Sequence, residues 1–264
     1  LKVLFHEKPF MGVNGSGKHC NWSLATDKGV NLLAPGKTPK TNTQFLAFFV
    51  ATLCAVNEHG TLLMASIASA TNPRRLGGGE APPGILSVFA GSTVNAILDE
   101  IEKRISDRKL SPDEKTEIKL DIGKIPEILL DNTDRNRTSP FAFTGNRFEF
   151  RALGSGMSAA DSISALNTIM AESLEYAADR MEQLMAGDIS KLNAAVQTLV
   201  QEIVEEHSAV IFNGDGYSEA WQKEAAKRGL PSLRNAPEAL GELISESSMD
   251  LFSKYEVLSK VELK

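Results

Sequence analysis

Cysteine is scarce in this 264-residue sequence, with only Cys20 and Cys54. Two cysteines cannot build a disulfide framework, so a reduced, cytoplasmic compartment is the expectation. Long apolar runs are also missing. The most apolar stretch, 45–56, spans about a dozen residues and ends at Asn57-Glu58-His59-Gly60. A membrane-spanning helix needs about 20 residues, so this stretch predicts a buried helix and no membrane partner. Positive charge is not in excess: the formal net charge is −6 and the pI about 5.4. That balance argues against a nucleic-acid partner. There is no repeat at a solenoid period and no low-complexity tract. The first residue is Leu1 rather than Met, and Leu1–Phe5 reads as the middle of a strand, so an upstream portion is expected.

What is present is an ordinary globular balance, 42% hydrophobic and 23% charged residues, in a chain long enough to bury a sizeable core. The charge is unevenly distributed. Residues 1–156 carry 19 Lys and Arg against 16 Asp and Glu, whereas residues 157–264 carry 9 against 18. The front half is therefore the more plausible dock for an anionic small molecule, and the back half reads as acidic helical surface.

Residues 1–26 read as short alternating strands separated by Gly12-Val13-Asn14-Gly15-Ser16-Gly17, and 27–43 as an exposed loop. Asn42 or Thr43 is positioned to cap a helix over 43–58, and Gly60 separates it from a second helix over 61–70. Residues 72–84, rich in Pro and Gly, predict a loop. A helix is expected over 92–107, and Ser111-Pro112-Asp113-Glu114 matches a capping box. Residues 131–145 read as polar and turn-rich. Residues 147–153 alternate as a strand, with Phe148 and Phe150 on one face and Arg147, Glu149 and Arg151 on the other. Beyond 158, apolar residues from Ile163 to Leu174 and from Ile189 to Ile203 keep helical spacing. They predict two long helices broken at Gly187-Asp188, with Asp188 as a cap. A turn at 213–216 and shorter helices follow.

Three segments carry candidate chemistry. The first, Asn14-Gly15-Ser16-Gly17-Lys18-His19, is one residue from a phosphate-binding Walker loop, which needs Ser or Thr after the Lys. A strand, not a helix, follows it, so a tight glycine turn is the alternative. His19 next to that turn is either structural or a metal ligand. In the second, Arg147-x-Glu149-x-Arg151 is either a solvated strand face or a carboxylate for a divalent cation flanked by guanidiniums for phosphate oxygens. Arg135 and Arg137 would add charge to the same place. The third places Arg74, Arg75 and Glu80 in the Pro/Gly loop, as an exposed connection or as a flap over a substrate.

In this order the three segments resemble glutamine synthetase. Asn14-Gly15-Ser16-Gly17-Lys18-His19 is similar to that family's N-G-S-G-x-H segment, and Asn72-Pro73-Arg74-Arg75-Leu76 with Glu80-Ala81-Pro82-Pro83 is similar to its glutamate flap. Asn136-Arg137 and Arg147-x-Glu149-x-Arg151 match its N-R and R-x-E-x-R segments. His6-Glu7-Lys8-Pro9-Phe10 and the long helical tail are most similar to the type III subfamily. The resemblance implies an α+β fold. A carboxy-terminal part of the catalytic domain, of antiparallel strands with flanking helices, would occupy 1–156, and a helical carboxy-terminal region 157–264.

The same resemblance implies ATP-dependent ligation of ammonia to the γ-carboxylate of L-glutamate through γ-glutamyl phosphate. His19 and Glu149 would ligate Mg²⁺ or Mn²⁺. Asn14, Gly15, Arg75 and Arg151 would hold glutamate; Asn21, Ser23, Arg137 and Arg147 would hold ATP. Glu80, Arg151 and Arg137 would act in catalysis. The family forms homo-oligomers, with dodecameric rings expected. The flap is one residue shorter than the class I form, so Arg74 and Arg75 compete for one role, and Ala142 stands near a family arginine. In the family the carboxylates of the first metal site lie upstream of the part that this sequence resembles, so they are expected before Leu1. A chain of this length would then be inactive alone. The alternatives are a non-catalytic or regulatory assembly module of the same family, or a ligase for another amine.

Overall fold

The computed structural model describes residues 3–110, 139–232, 235–259 and 261–262. The architecture is α+β, with a four-stranded sheet and nine α-helices among the described residues. Strands β1 (Gly17–Trp22), β2 (Val88–Phe89), β3 (Phe141–Phe143) and β4 (Phe148–Gly154) lie in the order β1-β4-β3-β2. The β1–β4 and β3–β4 pairs are antiparallel, and β2 runs parallel to β3.

Alternation decides the faces. Cys20 and Trp22 are buried, whereas His19 and Asn21 between and beside them are exposed. On β4, Phe148 and Phe150 enter the core, as their spacing predicts. They join Phe45, Phe49, Phe141 and Phe143 in an aromatic cluster with ring centroids 4.9 to 6.0 Å apart. The register shifts between Lys18, which faces Leu153, and Cys20, which faces Phe150. His19 therefore stands alone against Arg151 and Ala152, the two-against-one count of a β-bulge.

Helix α1 (Thr43–Glu58) backs the sheet. Its cap is Asn42, whose side chain accepts from Phe45 N at 3.0 Å. Nearly all of its middle turns are buried, because α5 (Ala160–Met185) and α6 (Leu192–His207) pack against it from the other side. The residues of the sheet, α1, α5 and α6 form one continuous apolar cluster. Between these lie α2 (Gly60–Ala65), α3 (Asn72–Arg75) and α4 (Ser92–Leu110), the last burying Val94, Ile97, Leu98 and Ile101. The tail adds α7 (Glu219–Lys227), α8 (Ala236–Leu240) and α9 (Glu246–Lys254).

Several expectations are corrected. Residues 3–11 are irregular rather than strand, with Val3 and Phe5 exposed. The second helix ends at Ala65, short of 70. The 72–84 loop opens with a single helical turn, α3, because Pro73 sits in the first turn, where a missing N–H costs nothing. The turn-rich reading of 131–145 fails at Phe141–Phe143, a fully covered strand too short to show a period. Ile163, Ile189 and Leu192 are exposed although they share the helical spacing. Asp188 caps as expected, accepting from Ser190 N, but it caps a 3-10 turn that leads into α6. The capping box at 111–114, with Arg135, Asn136 and Arg137, lies outside the described residues.

Candidate active site

Three glycines shape the site by what they leave out. Gly17 on β1 pairs with Gly154 on β4, so side chains at both positions would project to one face of the sheet. A Cβ on Gly17 would lie 2.5 Å from an Arg75 guanidinium nitrogen, and one on Gly154 would lie 2.0 Å from Glu7 Oε1. The cleared face is thus filled by Arg75 and Glu7, brought there from outside the sheet. Gly15 completes the clearing: a Cβ there would meet Glu7 O at 1.8 Å and Glu80 Oε1 at 2.6 Å.

Each of these imported side chains is anchored. Arg75 is 5% exposed. It donates from Nε to Asn72 Oδ1 at 3.0 Å and from a terminal nitrogen to Leu153 O at 3.2 Å. Asn72 in turn donates to Ile67 O and Ala152 O, both at 2.8 Å, and so ties α3 to β4. The Glu7 carboxylate accepts from Ser69 Oγ and Thr71 Oγ1. The Glu80 carboxylate accepts from Gly15 N at 2.8 Å and from Lys8 Nζ at 3.0 and 3.2 Å. Burial pulls the Arg75 guanidinium below its ordinary pKa, against the opposing charges of Glu80 and Glu7. Burial pushes Glu80 upward, but the Lys8 hydrogen bond, the backbone N–H groups and the Lys8 charge outweigh it, and the carboxyl titrates below its usual range.

Two residues along β1 from Gly17, and so on the same face, stands His19. Its Nδ1 is 3.6 Å from Glu149 Oε2, and the same oxygen accepts from Arg151 Nε at 3.3 Å. Arg151 is buried, while His19 is about one-third exposed. Asn21 lies opposite Glu149 across the strand pair. One imidazole nitrogen and one carboxylate side by side would offer two ligands to a divalent cation, leaving its other positions to groups from outside the protein. They do not make a closed protein cage: among the described residues no three His, Cys, Asp or Glu side chains gather in a metal-holding geometry.

The structure therefore brings Gly15, Arg75, Glu80, His19, Glu149, Arg151 and Asn21 to the β1–β4 face. Asn14 is exposed beside Gly15, and Arg74 is exposed where Arg75 is buried. Ser23 and Arg147 sit at the far end of the strand pair. Ser23 Oγ donates to Asn31 Oδ1 at 2.8 Å and contacts Asn146 O at 3.2 Å, and Arg147 is exposed at the β3–β4 turn. Arg137 lies outside the described residues. Residue-by-residue reading gives no role to Glu7, Lys8 and Asn72; for Glu7 the signal is indirect, in glycines at 15 and 154 that leave room for it. Both cysteines are buried and unpaired, and burial raises both thiols.

Stretches of the chain on either side of β4 match known family models. The family model described as the glutamine synthetase catalytic domain matches residues 1–86, and that of the glutamine synthetase C-terminal domain matches residues 195–264. The chain belongs to the glutamine synthetase family. A glutamine synthetase of Bacteroides fragilis is 52% identical over 261 residues, which cover 99% of this chain and 36% of that protein. A type-3 glutamine synthetase of Dictyostelium discoideum is 46% identical over the whole chain and 35% of its own length. A glutamine synthetase of Butyrivibrio fibrisolvens is 41% identical over 98% of the chain and 36% of its length. The chain thus spans about a third of the length of these relatives. Residues 87–194, with Glu149 and Arg151, fall between the two family models, yet the relatives align across them.

Proposed function

We propose that this chain carries part of the active site of an ATP-dependent glutamate–ammonia ligase. The observation that carries the reading is the convergence of Arg75, Glu80 and the His19–Glu149–Arg151 group on one sheet face, in a chain of this family. A carboxylate is a poor electrophile at neutral pH. Transfer of the γ-phosphoryl group of ATP to the γ-carboxylate gives an acyl phosphate and ADP. Ammonia then adds to the acyl carbon, phosphate leaves, and glutamine is formed.

Phosphoryl transfer needs positioning and charge neutralisation more than covalent help. In this reading the Arg75 guanidinium pairs with a substrate carboxylate, and Asn14 and Gly15 line the same subsite. Arg151, with Arg147 and Arg137, meets phosphoryl oxygens; Asn21 and Ser23 face the nucleotide. His19 and Glu149 would hold Mg²⁺ or Mn²⁺, which would neutralise phosphate charge when bound. Glu80, ionised at neutral pH, accepts a proton from ammonium, and its loop excludes water from the acyl phosphate.

We also propose a division at about residue 156 between catalytic and helical regions, assembly into homo-oligomers such as dodecameric rings, and a cytoplasmic setting. Two buried, unpaired cysteines support that setting. No helix among the described residues is long and apolar enough to cross a membrane. The test is γ-glutamyl hydroxamate formation from glutamate, hydroxylamine and Mg-ATP by the protein expressed from its complete reading frame. The parent is expected to be active and His19→Ala to lose metal-dependent turnover. A folded, assembled parent with no activity would favour a non-catalytic assembly module.

A further inference from the structure

The loop that carries Glu80 is rooted in the core by Leu76 and Ala81, but its tip has little of its own to hold it down. Its tip is Gly77-Gly78-Gly79, all exposed, with positive φ at Gly77 and Gly79. Its base is closed by Gly77 N, which donates to Ala81 O and Pro82 O at 3.1 Å, and by Gly78 N, which donates to Arg75 O at 2.9 Å. Three glycines offer no side chain to pack. Beyond the base, the loop meets the body of the protein through the Glu80 carboxylate and the Gly78 carbonyl.

Lys8 reaches both. Its Nζ lies 3.0 and 3.2 Å from the two Glu80 carboxylate oxygens and 3.4 Å from Gly78 O. A Cβ on Gly78 would come within 3.0 Å of that same nitrogen, so the ammonium lies directly under the loop tip. The side chains of Lys8 and Glu80 are 7% and 10% exposed. A pair this covered is screened far less than a surface ion pair, and losing one partner strands the other. Lys8 is itself on a pinned segment: Ser16 N donates to Glu7 O at 3.0 Å, Ser69 and Thr71 hold the Glu7 carboxylate, and Ser155 Oγ donates to Phe5 O.

We propose that Lys8 is a positioning residue that latches the Glu80 loop shut over the site, so that water is kept from the activated substrate. The proposal rests on the ligase reading. An open loop lets water add to the acyl carbon; phosphate leaves and glutamate is regenerated, so ATP is consumed without product. The latch therefore governs coupling, which a merely structural role would not change.

The experiment compares phosphate released with glutamine formed, in the protein expressed from its complete reading frame, supplied with Mg-ATP and glutamate, with and without ammonium. The parent is expected to release phosphate and form glutamine in near-equal amounts. Lys8→Met is expected to raise that ratio severalfold and to release phosphate when ammonium is omitted. Lys8→Arg, which keeps a cation for Glu80, is expected to restore coupling. Should Lys8→Met not fold, Lys8→Gln, which removes the charge and keeps polarity, serves in its place. A folded, active variant whose ratio equals the parent's, with turnover reduced or not, overturns the latch alone. A folded parent that makes neither glutamine nor hydroxamate overturns the ligase reading and the latch with it.

Discussion

Gly15 shows how much one absent methyl group decides. Its N–H reaches Glu80, and its Cα faces the Glu7 carbonyl so closely that a Cβ would lie 1.8 Å from that oxygen. The carbonyl cannot retreat without breaking its bond from Ser16 N. Gly15→Ala is expected to cost about 1–3 kcal/mol, the range for forcing a methyl into a packed site. Urea unfolding of the 264-residue chain would read this as a lower midpoint at unchanged slope. Gly241→Ala is the control: nothing lies within 4 Å of its added methyl, so a change within about 0.5 kcal/mol is expected. At this scale the site was half legible. His19, Glu149 and Arg151 are recognisable because a strand's two-residue period puts charged side chains on one face. Glu7 and Asn72 were not, since their work is to hydrogen-bond backbone and hydroxyl groups from distant segments, and no local spacing encodes that.

Among the elements, helix ends carry the clearest sequence signals. Asn42, Ser218, Asn235 and Ser245 each accept from a backbone N–H in the first turn of the helix that follows. The end of α5 is less favourable: Ala186 takes the left-handed conformation at φ 48°, one residue before Gly187. A Cβ costs about 1–2 kcal/mol in that region, while glycine brings a looser unfolded chain worth about 0.4–1 kcal/mol. Ala186→Gly is therefore expected to stabilise the chain by roughly 0.5–1 kcal/mol, read as a melting temperature raised by about 1–3 °C. The break itself was visible in Gly187-Asp188, but the glycine falls one position late for the cap. β3 was invisible for a different reason. Three residues cannot display alternation, and Phe141–Phe143 becomes a strand only because β4 and β2 flank it.

Across the whole molecule, the two differently charged halves share one core. α1, from the basic half, is covered on one side by the aromatic cluster of the sheet and on the other by α5 and α6 from the acidic half. Residues 1–156 expressed alone would expose the α5 and α6 side of α1. They are expected to bind a hydrophobic dye and to lose cooperative thermal unfolding, whereas the 264-residue chain keeps it. A cooperative transition in the short chain would instead support two independent units. The helix over 43–58, the long helices after 158 and the chemical character of three segments followed from the sequence alone, because period, caps and residue type are local properties; the α+β class came from the family resemblance that those segments carry. Tertiary structure decided which arginine of Arg74 and Arg75 is buried, where the His19 bulge falls, and that Lys8 meets Glu80. Each of these depends on segments about 60 to 140 residues apart meeting at one face, and a chain's order does not by itself state which distant residues its packing will bring together.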